Sequence, residues 1–220
     1  MNKTAILCGA LAGPALALNQ YFIWRYAPVE ASMGLVQKIF YFHMPLAWWA
    51  LFSFFLVFVF GLLYLAKRNM RWDRWAGAAA EVGVVMSGLA LVTGSIWGKA
   101  AWGVWWTWDP RLSTTLIMWF IYAGYLVFRS LDMAPQRKAM VSAVIGIIAF
   151  LDVPLVFFST RLWPRSVHPP SIGLDPAMKT TIIICLITWG FIWYAMTALR
   201  AANMASSERV LDLVRMDQET

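Results

Sequence analysis

Long apolar runs, interrupted at intervals by charges and prolines, predict six helices over about residues 5–24, 39–66, 78–97, 112–128, 139–158 and 177–199. Each run is near the roughly 20 apolar residues that a helix needs to cross a bilayer. A chain of 220 residues holds six such spans with short connections, so one bundle is expected and no second domain is required. The first run starts at Ala5 behind a single basic residue, Lys3, and contains Pro14 and Asn19 with no small-x-small cleavage site, so it reads as a retained span. Beyond the sixth run, Val210, Leu211, Leu213 and Val214 predict a short helical tail.

Composition agrees with this pattern. Hydrophobic residues make up 61% of the chain and charged ones 13%, with a mean hydropathy of +0.64, which places it outside the water-soluble classes. The expected fold class is therefore an all-α integral membrane protein, a bundle of six transmembrane helices.

Charge supplies an orientation. Six spans put both termini on one side, and Lys and Arg accumulate on the cytoplasmic side of a membrane. The termini together with the loops after the second and fourth spans hold eleven basic residues, against seven in the opposite set. Both termini are thus expected in the cytoplasm. The net charge of +7 reads as anchoring to anionic lipid, with no message about nucleic acid.

Five of the fourteen tryptophans fall in one stretch, WGKAAWGVWWTWDPRL, from Trp97 to Leu112 on the outer side. Indole joins a wide apolar face to one N–H donor, which suits the membrane boundary or a large flat ligand. The chain's two histidines fall on the same side. His43 lies a few residues into the second span, in KIFYFHMPLAWW, and His168 lies between the fifth and sixth spans, in RLWPRSVHPPS. Each taken alone reads as a helix-end or loop residue. Converging on one face, they become candidates to coordinate one iron from opposite sides.

Cations surround this face. Lys99 and Arg111 bracket the tryptophans, and Arg161 and Arg165 precede His168. A guanidinium matches a carboxylate by two parallel hydrogen bonds, so these residues are candidates to grip the propionates of a haem; snorkelling to lipid headgroups is the alternative for each. Asp109, followed by Pro110, reads as the N-cap of the fourth span or as an acceptor for indole N–H groups. Glu81 and Asp152 lie inside spans, where a carboxylate needs a partner; Arg74 or Arg71 is the expected partner of Glu81. The spacing Gly77, Gly83, Gly88 predicts close helix packing, and Cys8 and Cys185 read as small apolar residues.

The segment WGVWWTWDPRLS resembles the tryptophan-rich WWD signature of the haem-handling membrane proteins of cytochrome c maturation. KIFYFHMPLAW and RSVHPPS resemble the two histidine motifs of those proteins, and the length and six spans are most similar to the CcmC branch. The resemblance implies a haem-binding and haem-transfer protein of the bacterial inner membrane, not an enzyme. In it His43 and His168 are the axial ligands of a transiently bound haem b, and Trp102, Trp105, Trp106, Trp108, Asp109 and Arg111 form the platform. It also implies delivery of haem at the periplasmic face to the chaperone CcmE, and neighbours CcmA, CcmB and CcmD. The propionate roles of Arg161 and Arg165 rest on charge alone. A membrane b-type cytochrome and a transmembrane haem exporter remain as alternatives.

Overall fold

The computed structural model describes residues 3–163, 167–168 and 173–218. Its α-helices are α1 (Lys3–Tyr21), α2 (Phe40–Lys67), α3 (Met70–Trp102), α4 (Pro110–Ser130), α5 (Pro135–Ala149), α6 (Asp152–Leu162) and α7 (Pro176–Gln218), with a π-helical turn at Phe22–Tyr26 and a 3-10 turn at Leu35–Ile39. Among the described residues, six helical stretches are long and apolar enough to cross a membrane, and they match the six expected spans.

The helix ends follow local chemistry. The Asn69 side chain accepts a hydrogen bond from the Arg71 N–H (2.9 Å) and starts α3 about eight residues before the apolar run does. Gly103 ends α3 with φ of 77°, a left-handed conformation that glycine adopts without strain. Asp109 caps α4 as expected, accepting from the Arg111 N–H at 2.9 Å, and Pro110 fills the first helical position.

The fifth span is not one helix. Pro154 has no N–H to offer the Phe150 carbonyl, which accepts instead from Val153 N–H (3.1 Å), and the span breaks at Phe150 and Leu151 into α5 and α6. The tail also differs from expectation. Rather than forming a separate helix it continues α7 without interruption.

Packing uses the small residues. A Cβ on Gly83 would sit 2.7 Å from the Phe54 ring, one on Gly77 2.8 Å from the Arg129 guanidinium, and one on Gly88 3.1 Å from Trp119. Phe54 and Tyr122 stack with ring centroids 3.7 Å apart in the centre of the bundle. Near the ends opposite the tryptophan segment, Arg129 grips Asp73 through two bonds of 2.6 and 2.9 Å and ties α4 to α3. Glu81 pairs with Arg200 (2.5 and 2.9 Å), not with Arg71 or Arg74; Arg74 pairs with Glu208. The length of α7 explains the change, because it brings its own cation and acid alongside α3.

Candidate functional site

The start of α2, the end of α3, the start of α4, the end of α6 and the start of α7 meet at one face of the bundle, where they wall a cavity of about 460 Å³. That is within the range of small-molecule and cofactor sites. Both histidines line it, with Trp97, Trp102 and Arg111.

His43 projects from the second turn of α2 against α3, where residue 94 is glycine; a Cβ there would lie 3.0 Å from the His43 Cε1. Its Nδ1 is 3.1 Å from the Thr93 Oγ1. Thr93 gives its own hydroxyl hydrogen to the Leu89 carbonyl (2.8 Å), so its oxygen faces the imidazole as acceptor. His43 therefore donates from Nδ1, and the ring lone pair is on Nε2. Trp97, four residues beyond Thr93 on α3, meets the imidazole edge to face with centroids 5.8 Å apart.

His168 sits on the connection between α6 and α7. Its Nδ1 is 3.3 Å from the Asp109 Oδ1, and the other carboxylate oxygen accepts from the backbone N–H of Val167 at 2.7 Å. One carboxylate thus caps α4 and anchors the segment that carries His168. Burial holds the His168 pKa below the ordinary histidine value; Asp109 acts the other way and Arg111 adds to the lowering. The ring is then neutral, with its proton directed at Asp109 and its lone pair on Nε2. A carboxylate behind an imidazole is the arrangement that orients histidine ligands in metal sites. Trp102 packs edge to face on His168 with centroids 5.2 Å apart.

The remaining candidates divide. Arg111 lines the cavity and donates from Nη2 to Thr160 Oγ1 (3.0 Å) and the Phe157 carbonyl (3.3 Å), so it is held against α6. Arg161 is exposed at the end of α6, off the cavity wall, and Arg165 lies outside the described residues. Trp105, Trp106 and Trp108 are on the loop after α3 and away from the cavity lining. That loop is fastened by the Ser95 hydroxyl, which donates to the Trp105 carbonyl at 2.7 Å. Trp105 and Trp108 are 59% and 79% exposed, which directs them outward from the rim. Lys99 donates to the Gly103 carbonyl (2.9 Å) and closes the end of α3.

Sequence reasoning missed Thr93 and Gly94, which read there as ordinary span residues. The signal was the spacing of Thr93 and Trp97, which places a hydroxyl and an indole on one face of α3 at the outer end.

A six-helix membrane bundle with two imidazoles, each fixed through Nδ1, on the wall of one apolar cavity defines a multi-pass membrane protein with a cofactor-sized site at its surface. The chain belongs to the CcmC family, described as "Heme exporter protein C", which matches residues 1–217. It is 28% identical to heme exporter protein C of Rhodobacter capsulatus, covering 97% of this chain and 92% of that protein. It is 33% identical to heme exporter protein C of Paracoccus denitrificans over 81% of this chain and 75% of the relative. A mitochondrial protein of Marchantia polymorpha named as ccmC-like and for cytochrome c biosynthesis is 32% identical over 74% of this chain and 67% of its own length.

Proposed function

We propose that this protein binds haem b in the cavity, through His43 and His168, and hands it to the chaperone CcmE during cytochrome c maturation. The observation that carries the reading is that both imidazoles line one cavity, each with Nδ1 against an oxygen of a fixed partner, which leaves Nε2 of each for a metal. The donor set fits the cargo. Haem is a flat apolar macrocycle with two carboxylates on one edge; the cavity is mostly apolar, glycine stands at position 94, and Arg111 is the cation among the described residues that line it.

The two ligands differ in how they are held. His43 is on a helix packed against α3, whereas His168 is on a connection anchored through Asp109. A carrier needs such a difference, since release requires one bond to yield while the other keeps the cargo in place. Trp105 and Trp108, exposed at the rim, are the surface on which CcmE docks, and haem is held and passed on without being chemically changed by this chain. The cavity faces the periplasm, with both termini in the cytoplasm of a bacterial inner-membrane protein and CcmA, CcmB and CcmD as neighbours in the membrane.

Purification in detergent followed by absorption spectroscopy tests this. A Soret band that moves to added apo-CcmE is the expected result. Haem that stays on the protein and cycles with an electron donor would instead make it a membrane b-type cytochrome.

A further inference from the structure

The cavity does not end at the histidines. Along α2 it continues from His43 past Ala47 to Leu51, about 12 Å deeper at 1.5 Å per residue, and on α3 from Gly94 down to Ser87, about 10 Å. Met118 of α4 and Val156 of α6 complete this arm. Its hydroxyls, on Ser87 and Thr115, are turned back to the Gly83 and Arg111 carbonyls, each at 2.7 Å, so the arm presents an apolar surface.

Two residues on the wall face both ways. Trp48 of α2 lines the cavity and is 48% exposed; Phe157 of α6 lines it and is 50% exposed. Both lie within stretches long and apolar enough to span a membrane, which places the outer side of each where lipid would be. α3 packs along α2 and α4 along α6, whereas α2 and α6 scarcely touch among the described residues. The seam between α2 and α6 is an opening at the depth of the spans.

We propose that this seam is a lateral portal through which haem enters the cavity from the lipid leaflet on that side, apolar edge first, and meets His43 before His168. The inference rests on the reading of the cavity as a haem site. An approach from water would carry the apolar faces of the macrocycle through solvent. An approach from lipid keeps them buried, and the deep arm receives the leading edge while the carboxylates stay level with Arg111 and the aqueous rim. His43, on the membrane-embedded helix, is the ligand that such a path reaches first.

The test uses the full chain in lipid nanodiscs, with haem supplied either in vesicles or on albumin, and the growth of the Soret band timed after rapid mixing. Trp48→Cys in a Cys8→Ala background is modified with a bulky maleimide; Cys185, wholly buried, is left in place. The adduct is expected to slow loading from vesicles about tenfold while loading from albumin keeps its rate. Trp48→Ala, which widens the seam, is expected to speed vesicle loading. Loading from vesicles at the unmodified rate, or equal slowing of both routes, would overturn the portal and leave the haem site standing. No Soret band in the unsubstituted protein from either source would overturn the haem reading itself.

Discussion

A threonine hydroxyl stands behind Nδ1 of His43. Because Thr93 spends its hydrogen on Leu89, it accepts from the His43 Nδ1, and Thr93→Val removes that acceptor while keeping the branched shape. Loss of a partner behind a metal-binding histidine commonly costs about 10–100-fold in affinity, and a drop of that order is expected in a haem titration of Thr93→Val, with a shifted reduction potential. Thr93→Ser should restore both, which a purely structural role for the methyl group would not allow. Asp109→Asn separates two tasks of one side chain. Asparagine caps a helix as well as aspartate, so thermal stability should hold, whereas its amide is a weaker acceptor for His168 and its NH2 cannot accept from the Val167 N–H, so haem should bind about tenfold more weakly. At this scale the sequence identified residues whose chemistry is rare in a membrane: His43, His168, Arg111 and Asp109. It was silent about Thr93 and Gly94, whose side chains are at home in any span. It misassigned the partner of Glu81 because Arg200 is distant in the chain and reaches Glu81 only through the packing of α7 on α3.

Helices set the frame that holds these side chains. Residue 94 is where α3 makes room for the His43 ring, and Gly94→Ala would place a Cβ 3.0 Å from Cε1. Overpacking of this kind typically costs about 1–3 kcal/mol or displaces the group it meets, so Gly94→Ala is expected to lower haem content at saturation, read from the Soret absorbance per protein. At the other end of the bundle the Asp73–Arg129 pair joins α3 to α4, with side chains only 9% and 13% exposed. Removing one partner of a buried pair costs about 3–5 kcal/mol, so Arg129→Met should lower the thermal unfolding temperature in detergent, and Asp73→Leu added to it should recover part of the loss. Apolar runs made the six spans legible, with boundaries short wherever charged residues extend a helix. The start of α3 is such a place: Arg71, Asp73 and Arg74 lie outside any apolar window, yet Asp73 and Arg74 are satisfied by Arg129 and Glu208 across helices. The break between α5 and α6 was marked by Pro154, whose effect inside a long apolar run shows only when the backbone bonds are traced.

For the whole molecule, the decisive arrangement is that ends of α2, α3, α4, α6 and α7 converge on one face, so residues 125 positions apart in sequence, His43 and His168, share a cavity. Their common side was readable from the parity of the spans. Their common cavity was not, since it depends on how the helices pack. On the proposed reading, one imidazole on a helix, one on a connecting segment and exposed tryptophans at the rim let the site hold a cargo and give it up. The most direct measurement of that account is the absorption spectrum of the purified protein beside those of His43→Ala and His168→Ala. Two imidazoles on one iron predict a six-coordinate haem in the unsubstituted protein, and loss of haem or a shift to a five-coordinate spectrum in each variant. Retention of the full haem load and an unchanged spectrum in both variants would contradict it.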